Sequence, residues 1–288
     1  MIEKPLFLVK GNAKAINDKM MKNAGHFCFL KTEEVVLSSQ KPNTYREAFS
    51  MYVTGLYCLY HDYGKKFLWY SLDQKGGRFP FCNDGKEDKT IEKSVQECKK
   101  HLKTINEVFR PNIVHGIFED YQRNEYMEQL NAYGTNSKAV SLVWPQFVEQ
   151  LPEKEWEMIV QRLIQEANEC YIFLDKLAQM WEGATEKERK ENIKRFAESN
   201  EFAKSIDIQL CNGVCRAEEL EEKCITEDID KLEKWRKLLA EDFQSGRADT
   251  PEKLYGGLRR MIIKDMGPLS SAEIGARYGL GVELPKII

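Results

Sequence analysis

Two short segments hold residue types whose spacing could do chemistry. In Val108-Phe109-Arg110-Pro111-Asn112-Ile113-Val114-His115-Gly116, one of only four histidines follows an arginine by five positions. Pro111 suits a first helical turn, where its missing N–H would lack a partner anyway. A helix opening there sets Arg110 at its mouth and His115 just over one turn deeper. A phosphate at that mouth meets free backbone N–H groups, the positive end of the helix dipole and a guanidinium. His115 is then close enough to move a proton to or from a ribose hydroxyl. Arg110 stabilises the charged phosphorane, so such a pair can cleave RNA with no metal or other cofactor. A plainer reading makes His115 a helix-start histidine bonded to backbone and Arg110 one arm of a surface ion pair.

The second segment, Leu59-Tyr60-His61-Asp62-Tyr63-Gly64-Lys65, sets an imidazole beside a carboxylate. Adjacent His61 and Asp62 are a possible pair of metal ligands if an upstream histidine and a distant carboxylate complete the set. His26 and Asp120 are the candidates. The competing reading is a helix end, with Gly64 as its cap and His61 favourably placed at the negative terminus.

Each segment resembles a known family. FRPNIVHG is similar to the motif of the HEPN superfamily of helical bundles, often written around R-N-x-x-x-x-H and frequently followed by glycine. The position after the arginine here is Pro111, with Asn112 displaced by one. The helix pattern of residues 43–135 extends the likeness. What the resemblance implies is a metal-independent endoribonuclease, or an RNA-binding relative, in a bacterial antiviral defence or toxin-type system. It would act as a homodimer with its Arg–His pairs facing across a groove and leave a 2′,3′-cyclic phosphate. Arg110 and His115 would be catalytic and Asn112 would contact substrate. The fragment around His61 and Asp62 resembles the core of the HD phosphohydrolases and implies a metal-dependent alternative. A further alternative is a non-catalytic helical module that binds a protein partner, as a defence adaptor or a phage-encoded inhibitor.

Other signals are weaker. Cys211 and Cys215, with Cys224 beyond, lack the usual zinc-ligand spacing and a nearby histidine, so packed thiols are expected. Tyr57, Tyr60, Tyr63, Trp69 and Tyr70 cluster in sequence and are able to stack on bases, or to fill a core. Residues 269–281 look like the first half of a helix-turn-helix, but the chain beyond is too short for a recognition helix.

The elements that must position these residues follow from periodicity. The chain has 288 residues, 42% apolar and 31% charged, with a net charge of -3. That composition excludes disorder and a globally basic surface, so any RNA binding must be local. No apolar run long enough for a membrane helix is present. The cysteines are expected as free thiols of a cytoplasmic protein. Apolar runs at Pro5–Val9, His26–Leu30 and Val35–Leu37 predict short strands, with a helix from Lys14 to Ala24 ended by Gly25. Helices are predicted over 45–60, 90–109 and 111–133, with capping boxes at Thr44–Glu47 and Thr185–Glu188. A stripe from Trp156 to Trp181 at helical spacing predicts one long helix over 152–181. Shorter helices are expected near 186–204, 216–223, 226–244, 251–265 and 271–278. The expected fold is mainly α, a multi-helix bundle with a small N-terminal α/β portion. Its expected parts are an α/β segment over 1–40, a HEPN-like helical region over 41–136 and a C-terminal helical region over 137–288.

Overall fold

The computed structural model describes residues 2–9, 11–30, 42–73, 89–110, 120–134, 151–218 and 229–266. It falls into two compact units, Met1–Phe196 and Ala197–Ile288. In the first, a single-turn 3-10 helix at Leu6–Leu8 precedes α1 (Asn12–Ala24), α2 (Tyr45–Tyr57), α3 (Lys65–Ser71), α4 (Lys89–Lys103), α5 (Asp120–Tyr133), α6 (Glu153–Met180) and α7 (Glu186–Ala197). The second holds α8 (Asn200–Ser205), α9 (Ile208–Ala217), α10 (Ile229–Gln244) and α11 (Pro251–Met266). Pro111 to Glu119 and the predicted helix at 271–278 lie outside the described residues. Among the described residues, no helix is long and apolar enough to cross a membrane.

The axis of the first unit is α6, 28 residues long and so about 42 Å at the helical rise. Its stripe of Trp156, Ile159, Leu163, Ala167, Leu174 and Leu177 is buried. Helices α1, α2, α4 and α5 pack against it. Phe7, on the N-terminal turn, meets Phe29, Tyr60 and Tyr171 edge-on at centroid distances of 6.0, 5.3 and 5.4 Å. That geometry places ring edges on ring faces, as the aromatic quadrupole prefers.

Caps fix the helix ends much as the sequence predicts. The Thr44 hydroxyl accepts the Glu47 N–H, while the Glu47 carboxylate takes the N–H of Asn43 rather than that of Thr44. At α7 the box is reciprocal between Thr185 and Glu188. Gly25 closes α1 at φ 77°, donating its N–H to the carbonyls of Met20 and Met21. A Cβ there would also lie 2.4 Å from Ile193 Cγ1 on α7. Left-handed strain and overpacking therefore act together. Gly25→Ala is expected to destabilise by about 1–3 kcal/mol, read as a lower urea midpoint at unchanged slope; a midpoint at the wild-type value would contradict it.

The N-terminal strands are a correction. No strand occurs among the described residues; Leu6–Leu8 is a 3-10 turn and His26–Leu30 is irregular backbone, while Val35–Leu37 lies outside them. Side chains supply the hydrogen bonds that a strand would take from a neighbour. The buried Asn17 amide accepts the N–H groups of Cys28 and Phe29 and donates to the Phe29 carbonyl, at 3.0, 3.1 and 2.7 Å. Leu30 N–H reaches the Tyr63 carbonyl, and Leu6 N–H reaches the Asn168 side chain. The apolar run meant burial, not a sheet.

Two helices widen into π-helix. Residues Cys58–Gly64 join α2 to α3, and Thr104–Phe109 carry α4 on to Arg110. Gly64 is therefore no cap: at φ -78° the helix runs on, and a Cβ would crowd the Leu59 carbonyl at 3.1 Å. Extended π geometry is rare, and π-bulges occur frequently at functional sites.

In the second unit α10 packs on α11, joined by the Trp235 indole N–H donating to Asp265 at 2.9 Å. Cys211 and Cys215 are buried on α9, packed thiols rather than an exposed motif.

Candidate functional site

Both π segments deliver a candidate residue to one partly exposed surface. The Arg110 guanidinium carbon lies 4.4 Å from the centre of the Tyr57 ring, at the end of α2. The His61 imidazole stacks on the same ring at 4.6 Å and 13°. Guanidinium carbon and imidazole centre therefore lie within 9.0 Å of each other, the sum of those two distances. His61 Nδ1 is 3.1 Å from Asp62 Oδ1. The arginine of one motif and the His–Asp pair of the other thus converge, which neither spacing foretold.

Tyr57 is what joins them. A planar guanidinium stacks well on an aromatic face and keeps its edge donors for a carboxylate or phosphate. Burial pushes the Tyr57 phenol up from its ordinary pKa, with Arg110 partly opposing, so it stays a neutral hydrogen-bond donor. Burial, and then the Asp62 carboxylate, push the neighbouring Cys58 thiol up as well. Cys58 is a protonated thiol at neutral pH and no nucleophile. The surface therefore offers a cation, an imidazole, a phenol and an aromatic face. Groups of these types can hold a phosphate, stack on a base and move a proton. His115 and Asn112 lie outside the described residues.

His26 is spoken for. Its Nε2 lies 3.2 Å from the Ser71 hydroxyl and its Nδ1 accepts from Asn192 at 2.9 Å. Tyr70, Phe196 and Trp181 surround the ring. The Cys28 thiol, 3.2 Å from Ser71, is pushed up to about 12 by burial. This Cys–Ser–His–Asn chain has the order of a nucleophilic site, but all four residues are buried. Its nitrogens are engaged, so it lends His61 and Asp62 no third metal ligand. The carboxylate of Asp120 falls outside the described side chains. Among the described residues, no three metal-ligating side chains gather.

A second polar cluster went unforeseen. His101 on α4, Tyr133 on α5 and Glu166 on α6 meet at the wall of a cleft of about 720 Å³. His101 Nδ1 is 2.9 Å from Glu166 Oε2, the Tyr133 hydroxyl donates to that same oxygen, and Arg162 Nε donates to Oε1 at 2.9 Å. Burial alone would raise the Glu166 carboxyl; the bonds from His101 and Tyr133 outweigh it and hold the group below the ordinary carboxylate value. Burial and the Glu166 charge push the Tyr133 phenol well up. His101 Nε2 and the Tyr60 hydroxyl are buried with no hydrogen-bond partner among the described residues. Three helices are pinned through one carboxylate. A signal was present: His101 follows Cys98 by three on the apolar face of α4, and Glu166 follows Leu163 by three on that of α6. A charged or polar residue within an apolar stripe marks a buried network.

No protein-family model, curated protein or solved structure matches this chain.

Proposed function

We propose that the protein binds single-stranded RNA at the Arg110–Tyr57–His61 surface and cleaves it without metal, as a homodimer in the cytoplasm. One observation carries the reading: the guanidinium and an imidazole share a single, partly exposed tyrosine ring. Arg110 holds the scissile phosphate and neutralises the charge that develops on it. Tyr57 keeps the guanidinium in place. An imidazole moves the 2′-hydroxyl proton; the likeness to HEPN proteins assigns this to His115, with His61 as the neighbouring alternative. Attack of the 2′-oxygen on phosphorus expels the 5′-oxygen and leaves a 2′,3′-cyclic phosphate. The six described cysteines are free thiols, the state that a reducing cytoplasm maintains.

The test is cleavage of a labelled RNA in excess EDTA. Wild-type protein is expected to cut, with Arg110→Ala and His115→Ala each slowing the cut by about 100-fold or more. Separate His61→Ala and His115→Ala variants show which imidazole carries the proton. Wild-type-like cutting by the Arg110→Ala/His115→Ala protein would overturn the reading. So would activity lost on chelation and with Asp62→Ala, which points to metal-dependent hydrolysis. Sedimentation at micromolar concentration checks the dimer.

A further inference from the structure

A second feature lies along the α4 helix. A cleft of about 550 Å³ is lined by Trp69 from α3, by Lys99, Lys100 and Lys103 from α4, and by Glu107 and Glu125. The indole is half-buried and the ammonium groups of Lys66 and Lys99 each lie 5.9 Å from its centre. Among the described residues, no carboxylate pairs with Lys66, Lys99, Lys100 or Lys103. Like charges gathered round one ring repel each other, and a polyanion laid among them relieves that repulsion. Helix α4 and its π extension run unbroken from Lys99 to Arg110, about 16 Å along the axis.

We infer that this cleft is a binding groove for the single-stranded RNA flanking the Arg110 surface, an inference that rests on the reading above. Lys99, Lys100 and Lys103 take successive phosphates, and one base stacks on Trp69. Glu107 and Glu125 would repel phosphate but accept hydrogen bonds from exocyclic base amines. They would confine the backbone to the lysine side of the groove. Charge alone admits an acidic peptide; the flat face of Trp69 between two lysines favours a nucleobase.

The experiment is titration of a fluorescent single-stranded RNA with 2′-O-methyl riboses, which attack by a 2′-oxygen cannot cut, across a salt series in EDTA. Lys99→Gln/Lys103→Gln removes two exposed or half-exposed charges and should not disturb folding. It is expected to lower the slope of log affinity against log salt by about 1.4, two phosphate contacts' worth, and to weaken binding at least tenfold at low salt. Trp69→Ala, checked by circular dichroism because the indole partly packs on the core, is expected to weaken binding about tenfold with the slope unchanged. Wild-type affinity and slope in the lysine variant, with Arg110→Ala still impaired, would overturn the groove and leave the cleavage reading standing. Displacement of the RNA by polyglutamate as effectively as by unlabelled RNA would also overturn it, since charge alone would then suffice. Failure of the wild-type protein to bind RNA overturns both readings together.

Discussion

Asn17→Leu is expected to cost the first unit about 3–6 kcal/mol, because three buried backbone groups lose their side-chain partner at once. Leucine keeps asparagine's side-chain heavy-atom count and branching, is bulkier, and sits well in a helix. The loss therefore reports lost hydrogen bonds with some overpacking, and no cavity. The N–H groups of Cys28 and Phe29 and the carbonyl of Phe29 have no neighbouring strand to turn to. Water cannot replace the amide where Cys28 and Phe29 are fully buried. A deficit of that size is a large share of a domain's stability, so the variant is expected to melt well below wild type or to fail to fold. Chemical denaturation followed by circular dichroism measures it. A change under 1 kcal/mol would mean that the segment finds other partners, and that Asn17 does not organise it.

Glu166→Leu is the second large loss, expected at about 2–4 kcal/mol. The substitution removes the carboxylate that the Tyr133 hydroxyl and His101 Nδ1 share inside the contact of α4, α5 and α6, leaving them only their own contact at 3.4 Å. Arg162, half-exposed, turns to solvent at little cost. The wild-type network also makes stability depend on pH. Glu166 is held below its ordinary value of 4.5 in the folded protein, so the unfolded chain takes up this proton first. The stabilisation is fully present above the ordinary carboxylate value and is lost as pH falls through the lower folded value. Denaturation midpoints are therefore expected to fall steeply below pH 4.5 in wild-type protein and less steeply in Glu166→Gln. Parallel pH profiles for the two proteins would remove the carboxylate from this role.

Much of the helical architecture was legible in the sequence. The stripe from Trp156 to Trp181 became α6 almost residue for residue, because helical spacing is a local property of the chain. Thr44, Thr185 and Gly25 marked ends for the same reason: a cap is satisfied within a few residues. Reading failed where the partner was distant. His26–Leu30 reads as a strand by composition, yet apolar content reports only burial. The Gly64 glycine reads as a cap, yet it is a tight packing point in a continuous helix. The two halves of the candidate site were each visible as motifs, and Tyr57 and Trp69 as members of an aromatic cluster. Nothing in the spacing joined Arg110 to Tyr57 and His61, which lie more than forty residues apart.

By itself, then, the sequence determined where most of the helices form and which faces they bury, though it missed those at Lys65–Ser71 and Ile208–Ala217. It also marked a few scarce residues as candidates for chemistry, Arg110, His115, His61 and Asp62. The tertiary structure alone decided which of these meet. It set Arg110 and His61 on one tyrosine ring, enclosed His26 between Ser71 and Asn192, and tied His101 to Glu166 and Tyr133 across three helices. The physical reason is range. A helix is specified by neighbours three and four residues apart, whereas a hydrogen bond or ring stack acts over a few ångströms of space that only the packed fold supplies.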